Sequence, residues 1–177
     1  MTLSDLASIG SFVSALAVLI SLVYLSLQVR QAERNQQASI RAARASRSVD
    51  LFMGSTEPSV AEAVSKGMHG SDDISDTQVF QFTSYGFARF CNAEDAFYQH
   101  KEGLLNAFAF DGIANGLKSS FASPGMRALY RRQRTVLGRD FVEYADKLLA
   151  ATAVARNANL STQFKIDVAA ELSASDT

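Results

Sequence analysis

The sequence predicts an all-α protein in which a single N-terminal transmembrane helix continues into a cytoplasmic helical bundle. Three observations predict it. Leu6 to Val29 is a run of 24 residues without a charged side chain. No Pro or Gly interrupts Val29 to Met53, where Ala, Arg and Gln favour helix. The whole chain of 177 residues holds two Pro, much Ala and few β-branched runs, a composition of helices and not of sheets.

The uncharged run comes first. At about 1.5 Å of rise per residue it extends roughly 36 Å, enough to cross a hydrocarbon layer of about 30 Å with some tilt. A secretory signal would carry positive residues ahead of a shorter apolar region and a small-residue cleavage site after it. Here Asp5 is the only charged side chain ahead of the run, and the tripeptide Ala15-Leu16-Ala17 falls in its middle. The alternative is a buried helix of a soluble protein, which an uncharged run of this length disfavours. Thr2 and Asp5 are placed to cap the first turn.

Charge sets the expected orientation. Arg30, Arg34, Arg41, Arg44 and Arg47 follow the span, and no Lys or Arg precedes it. The positive-inside rule puts residues 30–177 in the cytoplasm and leaves residues 1–5 as an external stub. Arg30 and Arg34 can reach lipid phosphates; read more plainly, the basic stripe is a topology signal on a solvated face. Gly10, Ser14, Ala17, Ser21, Tyr24 and Gln28 recur at spacings of three and four, so they share one stripe of the span. Small residues on such a stripe let helix backbones approach in lipid, which makes it a candidate association seam. The same register continues through Gln31, Asn35, Ala38, Ala42, Ala45, Val49 and Phe52, and a chance clustering of Ala and Ser is the competing explanation.

Residues 30–53 are expected to prolong the membrane helix, 54–156 to form the bundle and 157–177 to form a tail. Gly54-Ser55-Thr56-Glu57-Pro58 ends the long helix, and Ser55 or Thr56 can cap a short one over residues 58–66. Gly67 to Asp73 reads as a polar loop. Ser75 or Asp76 starts a long helix that stops at Gly103, with Val79, Phe82, Gly86, Phe90, Ala93 and Phe97 as its core stripe. Phe80, Phe87, Cys91 and Tyr98 broaden its apolar surface. Leu104 to Phe121 reads as a helix packed closely at Gly112 and Gly116, or broken there. Ser123-Pro124 opens the next helix, over residues 126–137, with Ala128 and Leu129 inward and Arg127, Arg131, Arg132 and Arg134 outward. Residues 139–155 form the last strong helix, burying Phe141, Tyr144, Ala145, Leu148 and Leu149. A short helix over residues 163–172 and fraying of residues 173–177 are expected beyond it.

Composition narrows the function classes. Lys plus Arg number 17 against 18 Asp plus Glu, so no basic field argues for nucleic acid. Cys91 is alone, which excludes an intramolecular disulfide and fits a reducing compartment. The chain has no nucleophile elbow, phosphate loop or dinucleotide fingerprint. Glu94, Asp95, Tyr98 and His100 form the best polar cluster. Glu94 and His100 are six apart, a poor spacing for one helix face, and a bundle metal site needs paired Glu-x-x-His segments. A Glu94 carboxylate paired with Arg89, Arg127 or Arg131 and fixing bundle register is the expectation, with no cofactor and no catalytic residue assigned.

The segment from Ala93 to Leu105, together with Ser123-Pro124-Gly125-Met126-Arg127 and Asp140-Phe141-Val142, resembles a widespread family of small bacterial inner-membrane proteins with one N-terminal span. A membrane exit of the form Tyr-Leu-x-x-Gln-x-Arg-Gln marks that family and is matched by Tyr24 to Gln31. The resemblance covers most of residues 6–150 and implies the same topology and a helical cytoplasmic part, without an activity. The chain departs from the family in lacking tryptophan, notably around Leu129-Tyr130. The expectation is a non-enzymatic protein acting by contact with lipids and with other transmembrane helices, as a homo-oligomer or as an accessory subunit of a larger membrane complex. The alternatives are a tethered sensor with a lipid or small apolar ligand in its bundle, and an enzyme using Glu94.

Overall fold

A computed structural model describes residues 3–155 and 160–174. Among these the chain is all α, with seven α-helices and no strand: α1 (Leu3–Gly54), α2 (Pro58–His69), α3 (Asp76–Lys101), α4 (Ala107–Phe121), α5 (Pro124–Gln133), α6 (Arg139–Ala150) and α7 (Leu160–Ala174). Thr2, the Asp5 side chain and residues 175–177, to which caps and fraying were assigned from sequence, lie outside the described residues. The chain divides into two compact units, Met1–Ser48 and Val49–Thr177.

The first unit holds α1 up to Ser48. Its hydroxyls are satisfied within the helix, as Ser8 Oγ donating to Ser4 O (3.0 Å) and Ser26 Oγ to Val23 O (2.8 Å) illustrate. Such back-bonding lets a serine sit in an apolar helix without a stranded donor.

The second unit is organised around α3, which packs against α2, α4, α5 and α6. Ser75 caps α3 through a reciprocal pair: its hydroxyl accepts from Gln78 N–H, and the Gln78 amide oxygen accepts from Ser75 N–H. Phe82, Gly86, Phe90, Ala93 and Ala96 form the buried stripe of α3. Val79 is 38% exposed and Phe97 is half-buried, so the stripe is shorter at both ends than its periodicity suggests. Phe90, Phe121, Met126, Tyr130 and Phe141 are the largest fully buried side chains. Phe90 meets the Tyr130 ring edge-on at 5.6 Å and Tyr130 meets Phe121 at 5.0 Å, each ring burial worth roughly 1.5–3 kcal/mol. A smaller cluster of Ala96, Leu105 and Phe110 joins the main core through Phe97 and Tyr144.

Two helices meet backbone to backbone. A Cβ on Gly125 would lie 1.8 Å from Gly67 O, and Ser123 Oγ donates to Met68 O at 2.7 Å across the same α2–α5 contact. On its other side Gly67 takes the Phe82 ring, 2.3 Å from where a Cβ would stand. That contact explains why α2 runs to His69, where the sequence suggested an end at Lys66 and a loop from Gly67. Gly67 is a packing residue inside the helix, and the stop is Gly70, whose φ of 68° closes the C-terminus.

Other boundaries also differ. Glu57, not Ser55 or Thr56, caps α2, its carboxylate accepting from Val60 N–H at 3.1 Å. Ser55 and Thr56 instead donate to the α1 carbonyls of Phe52 and Met53. Asn106 caps α4, which leaves Leu104 and Leu105 outside the helix. Gly112 and Gly116 face open space, so the close packing expected there does not occur. α5 ends at Gln133 and passes into a single 3-10 turn, Arg134–Val136. Ala128 is exposed while Arg127 is half-buried, the reverse of the expectation. Arg127 donates to the carbonyls of Phe121 (3.0 Å), Thr152 (2.8 Å) and Leu149 (3.3 Å). A guanidinium there complements the negative carbonyl ends of α4 and α6. With Ala155 N–H donating to Ala122 O at 2.9 Å, these bonds draw the chain out of helix after Ala150, five residues before the expected end. α7 is longer than the segment expected over residues 163–172, and its described side chains are exposed.

Candidate functional site

The site begins with α1, because its apolar residues do not follow the usual partition. Eleven Phe, Val, Leu and Ile side chains from Phe12 to Val29 are between 47% and 70% exposed. The best 18-residue window of this helix has mean hydropathy 2.2, and none of it is buried. By length and composition α1 can cross a membrane. The seam residues Gly10, Ser14, Ala17, Ser21, Tyr24 and Gln28 are all exposed, with nothing within 4 Å of a Cβ added at Gly10. Ser21 Oγ donates to Ala17 O (2.8 Å), and Gln28 Nε2 donates to Tyr24 Oη (2.7 Å). The stripe therefore meets part of its hydrogen-bonding capacity within the helix. Arg30 and Arg34 are exposed, the first directly after the apolar run and the second between one and two turns beyond it.

The polar residues singled out on α3 do not make one site. Glu94 Oε1 accepts the N–H of Gly138, the residue that leads into α6, and the Tyr98 hydroxyl closes over the same glycine. A Cβ on Gly138 would stand 2.4 Å from Tyr98 Oη and 2.9 Å from Glu94 Oε1. Asp95 faces elsewhere and accepts from Gln99 Nε2 at 3.0 Å. His100 pairs Nδ1 with Leu105 O at 2.9 Å and stacks on Phe110, centroids 4.5 Å apart and planes 6° from parallel.

The pairing of Glu94 with an arginine is thus corrected: its partner is a backbone amide. Arg89 donates to Tyr85 Oη (3.2 Å) and Ser120 Oγ (3.0 Å), and Arg127 is engaged by helix carbonyls. Cys91 is half-buried; burial, then the Glu94 charge, hold its thiol above the ordinary value, which keeps it a poor nucleophile. The single Tyr130 hydroxyl proton lies within reach of two acceptors, Asp146 Oδ1 (3.0 Å) and Val142 O (3.3 Å), and Asp146 pairs with Arg134 at 2.6 Å. Burial and the Asp146 carboxylate push that phenol well above its usual range.

One feature escaped the sequence pattern. Within the second unit, the end of α1, Val60 of α2 and the Phe80–Ala88 segment of α3 line an open groove of about 340 Å³. Leu51, Val60, Phe80 and Tyr85 supply its apolar walls, and Asp50 is its one charged lining residue. The available signal was the stripe Phe80, Ser84, Ala88 beside Gln81 and Tyr85, a second face of α3 turned away from the core stripe. No protein-family model, curated protein or solved structure matches the chain.

Proposed function

We propose that the chain is a membrane-anchored helical protein that works by contact and not by catalysis. It sits in a bacterial inner membrane with residues 30–177 in the cytoplasm, and it associates through α1 with a second copy or with the helices of a larger membrane complex. The observation that carries this reading is the fully exposed apolar window of α1, which needs lipid or other helices around it. The arginines from Arg30 to Arg47 support the orientation. Arg30 and Arg34 stand where phosphate headgroups would meet them. The resemblance of Tyr24–Gln31 to the exit motif of small bacterial inner-membrane proteins supports the same topology.

The test is disulfide crosslinking of Ser14→Cys and Ser21→Cys variants, with Cys91 replaced by Ala, in native membranes. It is paired with mass measurement and partner capture in mild detergent. A crosslinked dimer or a stable heteromeric particle is expected; a strictly monomeric particle without partners would refute the reading.

The groove favours a second reading, a tethered sensor whose cytoplasmic unit binds a small apolar ligand. Its volume falls at the lower end of the range typical of ligand sites, about 300–1,000 Å³, and its lining is mainly hydrophobic.

A further inference from the structure

The groove between the end of α1, α2 and α3 has a polar rim with a definite bias. Asp50 contributes a carboxylate. Ser55 Oγ donates its proton to Phe52 O (2.7 Å) and Ser84 Oγ donates to Phe80 O (3.0 Å), so each hydroxyl has only lone pairs left to offer. Gln81 gives one amide N–H to Ser59 Oγ at 3.1 Å and keeps the other N–H together with its amide oxygen. Tyr85 Oη accepts from Arg89, and its proton is the one hydroxyl donor on the lining not already used. The last turn of α1 carries no basic residue to offset its carbonyl end.

Acceptors, a carboxylate and the Phe80 ring are the chemistry that receives a positive charge on an apolar body; the Tyr85 ring already carries the Arg89 guanidinium. Ring faces attract cations through their quadrupole, and a carboxylate adds direct charge complementarity. Arg89, which would oppose such a ligand, is not a lining residue. Its guanidinium lies 5.9 Å above the Phe52 ring and 5.8 Å above the Tyr85 ring and is tied to Ser120. An anion finds no cation in the lining, and of the three charge types only a cation meets Asp50 with opposite sign.

We infer that this groove binds a small lipophilic organic ammonium ion, with its apolar body against Leu51, Val60 and Phe80 and its charge toward Asp50. The inference rests on the second reading above, that of a ligand-binding sensor. The test uses the full chain in phosphatidylcholine nanodiscs with methyl-labelled Leu and Val, titrated with three probes. They are 3-phenylpropylammonium, 3-phenylpropanol and 3-phenylpropionate, which share a body and differ in charge.

The ammonium is expected to shift the Leu51 and Val60 methyls with an affinity about fivefold above that of the alcohol, the carboxylate being weakest. Asp50→Asn, at an exposed position, should remove the preference and leave alcohol binding in place. Phe80→Ala, at a side chain 72% exposed, should weaken both. Equal affinity for ammonium and alcohol, or an unchanged preference in Asp50→Asn, overturns the inference while the sensor reading stands. If no probe moves these methyls, both fall.

Discussion

The proposed membrane anchoring rests on α1, and a calculable change to α1 should abolish it. On an insertion scale, Leu, Ile, Phe and Val near a span's centre each contribute about −0.3 to −0.6 kcal/mol, so the eleven exposed side chains from Phe12 to Val29 favour insertion by about 3–7 kcal/mol. An arginine at the centre costs about 2.5–3.5 kcal/mol, and replacing leucine also forfeits that residue's own contribution. Leu19→Arg alone should therefore cost about 3–4 kcal/mol, roughly two-thirds of the driving force, and leave a partly inserted population. Leu19→Arg combined with Leu22→Arg should cost about 6–8 kcal/mol and abolish insertion. The assay is carbonate extraction of membranes followed by quantitation of pellet and supernatant. Val136→Arg, at a bundle residue 68% exposed, is the control and should stay with the pellet. A double variant that pellets like the parent chain would refute the claim that this apolar window anchors the protein.

Three further outcomes test the second unit. Gly125→Ala places a Cβ against the Gly67 carbonyl and should destabilise by about 3 kcal/mol or more, since backbone cannot yield as a side chain can; Gly112→Ala, in open space, should be neutral or stabilising by about 0.5–1 kcal/mol. Chemical denaturation in nanodiscs separates the two. Arg127→Met should cost about 2–4 kcal/mol, and Arg127→Lys should recover only part of it, because one ammonium cannot span three carbonyls; the same denaturation series reads both. Lys101 bonds Asp140 and holds its carboxyl below the usual value, so the pair's contribution is present above the unfolded carboxyl pKa and is lost as pH falls through the folded one. Asp140→Asn should flatten the fall in melting temperature at acidic pH, and an unchanged acid limb would rule the pair out as a contributor.

The residues legible in the sequence were those whose signals are local. Ser75 and Ser123 announced α3 and α5 because a cap needs only its own first turn, and both hydroxyls do accept N–H bonds there. Phe82, Phe90 and Ala93 announced the core face of α3 through spacing alone. The misses depend on partners far along the chain. Gly67 looked like a helix stop because a glycine's local meaning is a break, whereas here the Phe82 ring needs the space that a Cβ would fill. Arg127 looked like a surface charge because nothing nearby in sequence binds it; two of its three acceptors belong to Leu149 and Thr152. The groove was hidden for the same reason, since Asp50, Val60 and Tyr85 meet only after folding.

How the polar groups of the second unit are used bears on the kind of function this chain can have. A catalytic site keeps reactive side chains turned toward a space where a substrate fits. Here Glu94 holds the entry to α6, Arg127 ties the ends of α4 and α6, and Tyr130, Asp146 and Arg134 brace α5 against α6. His100 is occupied by Leu105 O and the Phe110 ring. Each has a partner, and each partner belongs to the fold. Exposed apolar surface includes the α1 window and Phe80 in the groove. Desolvating such surface drives association in general, and on the contact function proposed above the exposed apolar residues would provide the binding energy while the polar groups hold the scaffold. On that division of labour, replacing Glu94 by Gln in a chain that still folds should leave partner capture intact, whereas altering the face of α1 at Ser14 or Ser21 to a bulky residue should abolish it.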